Sequence, residues 1–240
     1  MKINYGDHQT PLQMEKITVK NLIEFRSKND RTKITFVNNL HKEKKKKDDD
    51  GSGGDYWISC LSVIRNTFKY DNPNLLDEKI NLLNDKIIVS NIKRIKDQFQ
   101  RNIEIINNFK EYEFGHLKPN VDLVFLKQSK HNFILDIKGL PVEAKPCHLF
   151  SFSENGSEEI GGVWFVAQLK GFKKSELAMF ADMLYRYLLK YYSMDFFVNP
   201  NYCYAVDLYN GHDVNYKEVQ DGNIPVLIDT TVEEVKKYNN

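Results

Sequence analysis

Asp122 and the triplet Asp136-Ile137-Lys138 are the residues of this chain whose types and spacing suit chemistry. Asp136 and Lys138 are two apart, so on a strand both project from one face. If the runs carrying Asp122 and Asp136 are the two arms of a hairpin, two carboxylates and an ammonium converge. Oxygen ligands of this kind suit Mg²⁺ or Mn²⁺, and a lysine beside such a metal can orient or deprotonate water and offset charge on a phosphate. Metal-assisted phosphodiester hydrolysis is the reaction this trio supports, with Asp122 and Asp136 as metal ligands and Lys138 as the third catalytic group. Glu143-Ala144-Lys145 supplies a second register, an acid and a lysine at the same spacing, able to pair with Asp122 or Asp136 instead. Other chemistries find less support. The histidines form no HxH or HxxxH pair, and Cys60, Cys147 and Cys203 form no CxxC. Cys147 and His148 are adjacent, so on a strand they face opposite ways and make no dyad. Walker A, GxGxxG and GxSxG sequences are absent.

The elements that must position these residues are strands. Val121 to Leu126 is apolar and rich in β-formers, Gln128 to His131 reads as a turn, and Phe133 to Ile137 is a second apolar run, so a hairpin is expected. Gly139-Leu140-Pro141 breaks it, Val142 to Phe152 resumes extended structure, Glu154-Asn155-Gly156-Ser157 turns, and Val163 to Ala167 reads as a buried strand. Ser175 opens an amphipathic helix with Leu177, Phe180, Ala181, Leu184, Leu188 and Tyr191 on one side, after which Tyr202 to Val206 returns as a strand.

At Asp122, Asp136 and Lys138 the chain resembles the PD-(D/E)xK nuclease superfamily, above all its RecB-like and exonuclease-like members. The resemblance implies an α+β restriction-endonuclease-like core and a DNA nuclease that uses Mg²⁺ or Mn²⁺, with Asp122 as the first acid, Asp136 as the second and Lys138 as the lysine. It also implies a role in bacterial defence or DNA processing. The chain departs from the family at two points: the supporting Gln-xxx-Tyr pattern is not kept, Glu176 and Phe180 standing at its spacing, and the proline expected before the first acid is missing, Pro119 lying three residues ahead. From Ile137 to Gly211 the chain also resembles a family of uncharacterised bacterial proteins in which Pro-Asp-Leu stands where this sequence has Pro146-Cys147-His148-Leu149. In that alignment Gln168-Leu169-Lys170 takes the place of the acid-x-Lys. It implies a catalytically inactive nuclease fold that binds nucleic acid or a protein partner.

The first half reads as helical. Thr18 can cap a helix from Val19 bearing Leu22, Ile23 and Phe25, and Ile34, Val37 and Leu40 mark a second. Lys42 to Lys47, three aspartates and Gly51-Ser52-Gly53-Gly54 form a polar loop, and Asp55 can cap a helix carrying Trp57, Cys60, Leu61, Ile64 and Phe68. From Leu75 to Phe109 the pattern slips phase near Ile88 to Asn91, which predicts two helices or one kinked helix. Lys93, Arg94, Lys96 and Arg101 lie on its polar side as a basic stripe suited to a nucleic-acid backbone.

The 240 residues therefore divide into a helical region over 1–118 and a mixed α/β region over 119–240. Charge follows the division: 21 Lys+Arg against 16 Asp+Glu give +5 through Tyr112, and 13 against 17 give −4 after it, for a net +1. With 41 % hydrophobic and 28 % charged residues the composition is that of a folded globular protein. MKINYGDHQT has no apolar leader, and the cysteines form no disulfide framework, so a cytoplasmic protein without membrane spans is expected, open to homo-oligomers or a protein partner.

Overall fold

The computed structural model describes residues 16–41, 56–127 and 133–238. The Lys/Asp/Gly loop at 42–54, the Asp55 cap and the Gln128 to His131 turn lie outside the described residues. The fold is α+β.

β1 (Ile17–Thr18) runs directly into α1 (Val19–Arg26), where the Thr18 hydroxyl accepts the Asn21 N–H at 3.1 Å and the Asn21 side chain accepts the Thr18 N–H in return. α2 (Asp30–Leu40) is capped by Asn29. Ile34, expected to face inward with Val37, is 52 % exposed, whereas Lys33 is buried. The cause is α8 (Ile228–Lys237), whose Glu234 holds the Lys33 ammonium at 2.5 Å and turns that face of α2 towards it. α3 (Ile58–Tyr70) stops at Asp71, which takes the left-handed conformation at φ 51°, and Pro73 precedes α4 (Asn74–Val89). The phase slip marks a real break: Ser90, Asn91 and Ile92 separate α4 from α5 (Lys93–Glu111).

The strands make two sheets. β3 (Ile134–Ile137) and β4 (Leu140–Glu143) form a hairpin that β1 extends into a three-stranded sheet, order β1-β4-β3. β2 (Val124–Phe125), β5 (His148–Glu154), β6 (Ser157–Val166), β7 (Phe197–Asp207) and β8 (His212–Asn215) make a five-stranded sheet in chain order. β6 and β7 are parallel, and α6 (Lys174–Tyr192) connects them; the other neighbours are antiparallel. α7 (Tyr216–Gln220) follows β8.

The expected hairpin of Val121–Leu126 against Phe133–Ile137 does not form. β2 pairs with β5, and β3 pairs with β4 across a two-residue turn in which Lys138 and Gly139 have φ of 51° and 83°. That pair of positive φ values belongs to a tight turn matched to the right-handed twist of its strands. Pro141 fits within β4 because it stands opposite Asp136, a non-hydrogen-bonded position, so its nitrogen points away from β3. On that other side β1 begins only at Val142. The extended run Val142 to Phe152 is likewise divided, its first part in one sheet and β5 in the other.

Alternation places the core on both faces of the larger sheet. Phe150, Phe152, Val163, Phe165, Tyr204 and Val206 pack with α3 and α5. Leu149, Ile160, Val166, Cys203 and Ala205 pack with α6. Helices before Pro119 thus share cores with strands after it: α3 and α5 in one cluster, and α1 and α2 with β3, β4, α6 and α8 in the other. Among the described residues no helix is long and apolar enough to cross a membrane.

Candidate functional site

The sheet pairing decides where the candidate acids go. Asp122 is exposed just ahead of β2, at the edge of the five-stranded sheet, whereas Asp136 is exposed on β3 of the three-stranded sheet. Asp136 Oδ1 accepts the Gly139 N–H at 2.9 Å and so braces the hairpin turn. Lys138, within that turn, donates to Glu233 of α8. Glu143 receives the Lys16 ammonium at 2.6 Å. Asp136, Lys138 and Glu143 are thus each engaged by a different partner, and Asp122 stands apart from them beside the other sheet. Among the described residues no group of three or more His, Cys, Asp or Glu side chains is placed to hold a metal ion. Asp122 leads into one sheet and Asp136 lies in the other, so the two are not carried on the arms of one hairpin.

Lys145 has a different setting. It stands at the mouth of a cleft of about 470 Å³ beside the start of β5, together with Arg65 and Lys69 of α3 and Lys127 beyond β2. Arg65 and Lys69 are four apart, so one face of α3 presents both. Lys145 comes from the link between β4 and β5. Among the described residues no carboxylate lines the cleft, and none of the four cations forms an ion pair. Like charges gathered in a concavity repel, and an anion relieves that repulsion.

Cys147 and His148 both line the cleft: Cys147 stands just before β5 rather than in it, so the two do not take opposite faces as neighbours within a strand would. Cys147 Sγ accepts the Arg65 Nε–H at 3.1 Å and the Phe165 N–H at 3.3 Å, and burial pushes its thiol up, so it stays neutral. The terminal guanidinium nitrogens of Arg65 make no hydrogen bond among the described residues and remain open to the cleft. The His148 ring stacks on Phe68 at 6.1 Å. Its Nε2 is 3.0 Å from the Arg65 carbonyl, which can only accept, so that nitrogen carries the proton. Burial first, and then the charges of Lys69, Arg65 and Lys118, hold the imidazole down at about 4. Lys118 itself, 4.4 Å from the centre of the Phe68 ring, is lowered by burial. The remaining wall is apolar: Leu126, Phe133, Pro146 and Leu149.

The basic stripe on α5 is a separate feature. Lys93 and Arg94 are exposed and Lys96 is half-buried, while Arg101 donates to the Tyr56 hydroxyl at 3.0 Å and lies 6.0 Å over its ring. Phe68 and Phe109 both meet Phe165, which fixes the register of α3 against α5. Lys93 precedes Phe109 by roughly 24 Å of helix, and the stripe lies away from the cleft. A second cavity, about 540 Å³, has Glu111, Glu113 and His116 in its wall. There the Tyr112 hydroxyl donates to Asp213 at 2.5 Å and His116 Nε2 is 3.1 Å from the same oxygen.

Arg65, Lys69 and Lys127 were not among the residues that the sequence pattern singles out. Arg65 and Cys147 are 82 positions apart, and no local periodicity joins them. The one available signal is the pair of cations at helical spacing on an otherwise uncharged helix. Comparison of the chain with protein-family models, curated proteins and solved structures finds no match.

Proposed function

We propose that this protein is a nucleic-acid-binding module on a restriction-endonuclease-like sheet, and that the cleft at the start of β5 holds the phosphate backbone. The observation that carries the reading is the cleft's charge: Arg65, Lys69, Lys127 and Lys145 line it together, with no acid among the described lining residues. Such a site attracts phosphate and repels the divalent cation that a nuclease centre would need. The architecture supports the same reading, since the sheet runs in chain order with β5 and β8 antiparallel to the other three and helices cover both faces. Cys147 stands where the second resemblance expects the acid, and its neutral thiol leaves the cations uncompensated.

The test is binding of a fluorescent oligonucleotide by the full chain at 50 and 200 mM salt. Four phosphate contacts predict a loss of about 50-fold for a single strand across that range. Replacing Arg65, Lys69 and Lys145 together by Ala should weaken binding on every sequence and flatten the salt slope, while reversing Lys93, Arg94 and Lys96 to Glu leaves the slope unchanged. No binding at 50 mM salt, or equal binding by the triple variant, overturns the reading.

A further inference from the structure

Resting on the nucleic-acid reading, we infer that the cleft selects unpaired strands: it takes the phosphate of one nucleotide on Arg65 and lays that nucleotide's base against Phe133. Three observations lead there. The first is size. A cleft of about 470 Å³ falls within the range of sites that enclose a small molecule. It accommodates one nucleotide unit drawn out of a strand, and a paired base cannot enter without leaving its duplex. The second is the division of the walls. The cations gather from α3, from the segment after β2 and from Lys145, whereas Leu126, Phe133, Pro146 and Leu149 make a surface without charge. A free phosphate needs only the first wall; a phosphate joined to a flat aromatic base uses both.

The third is preorganisation. Arg65 is anchored through Nε to Cys147, which fixes the plane of its guanidinium and leaves the two terminal nitrogens as a fork for phosphate oxygens. Phe133 is half-buried, and its ring is held against Tyr187 with centroids 5.9 Å apart and planes 17° apart. Neither group needs to be ordered when a ligand arrives, so little entropy opposes binding. Because every base has an aromatic face, such a site tolerates any sequence.

The experiment compares a 12-nucleotide thymidine strand with a blunt 12-base-pair duplex, which has no unpaired nucleotide, at 100 mM salt, using wild type, Phe133→Ala and Phe133→Leu. The single strand should bind at least tenfold tighter. Both variants should lose about tenfold on the strand and nothing on the duplex, and melting curves for each report whether the contact with Tyr187 was needed for folding. The comparison on wild type stands even if neither variant folds. Equal or tighter binding of the duplex overturns this inference and leaves the nucleic-acid reading in place. Binding of neither oligonucleotide, or tighter binding of a poly-glutamate peptide, overturns both.

Discussion

The Arg65 guanidinium donates its Nε–H to the sulfur of Cys147 at 3.1 Å, so a neutral thiol holds a half-buried cation of the cleft without cancelling its charge. Cys147→Asp would set a carboxylate against the same guanidinium. The resulting ion pair should consume the fork and lower oligonucleotide affinity by about tenfold or more, the scale of one charge-assisted hydrogen bond. Cys147→Ser keeps a neutral acceptor and should stay within about twofold of wild type. A titration in which the Asp variant binds as tightly as the Ser variant would remove Arg65 from the anion contacts.

Local signals were legible in the sequence wherever a few neighbouring residues decide the outcome. The Thr18–Asn21 cap, the break at Ser90 to Ile92 and the Asn155-Gly156 turn between β5 and β6 are of this kind. The burial of Leu177, Phe180, Ala181, Leu184 and Leu188 on α6 also follows from spacing alone. Pairing between strands did not follow. Lys138-Gly139 closes its hairpin with the same positive φ values as Asn155-Gly156, but a lysine there gives no turn signal, and Pro141 reads as a breaker although its ring lies beyond the end of β1. With β3 committed to β4, β2 takes β5 as its neighbour, and Asp122 and Asp136 part company. The cleft was illegible for a related reason. Its residues come from segments that only the stacking of α3 on the sheet brings together.

His148 makes the stability of the fold depend on pH. Its folded-state value is depressed to about 4 from the ordinary 6.5, chiefly by burial, so the unfolded chain takes up a proton at a higher pH than the native one. Stability is therefore full above pH 6.5 and falls as pH drops from 6.5 towards 4. After allowance for partial exposure the loss is on the order of 2 kcal/mol. Urea melts across that interval should show it, and His148→Gln, which retains a donor for the Arg65 carbonyl, should show a curve without that component.

Asp207 ties two connections together at the end of β7. Its carboxylate, fully buried, accepts the Phe172 N–H at 2.7 Å, the Tyr209 N–H at 3.0 Å and the Asn210 side-chain amide at 2.9 Å. Asp207→Ala leaves these donors without an acceptor and should cost about 3 kcal/mol or more. Gly171 is bound to the same arrangement: with φ +67°, a methyl group there would fall 2.3 Å from Asp207 Oδ2 and 1.9 Å from Asn210 Nδ2. Gly171→Ala should destabilise as well. Because both changes disrupt one network, the double variant should lose less than the sum, and additive losses in a double-mutant cycle would show the two to be independent.

Arg186 lies between two carboxylates, donating from Nε to Asp182 at 2.8 Å and from Nη1 to Asp229 at 3.1 Å, and so joins α6 to α8. The acids sit in unlike surroundings. Asp182 is 2 % exposed and burial raises its carboxyl, whereas the hydrogen bond from Arg186 lowers that of Asp229. Arg186→Met keeps the length and apolar stem of the side chain but strands the Asp182 charge, and removing one partner of a buried pair costs about 3–5 kcal/mol. The sign of the pH dependence identifies the cause. Without Arg186 the Asp182 carboxyl rises further, and a group whose folded-state value lies above its unfolded one regains stability as pH falls through the raised value. The deficit of Arg186→Met relative to wild type should consequently be largest at pH 7 and shrink by pH 5, while Asp182→Asn combined with Arg186→Met should show a smaller deficit with little change over the same range. Paired denaturant melts at the two pH values test this, and a deficit that grows on acidification would place the lost stability elsewhere than in the stranded Asp182 charge.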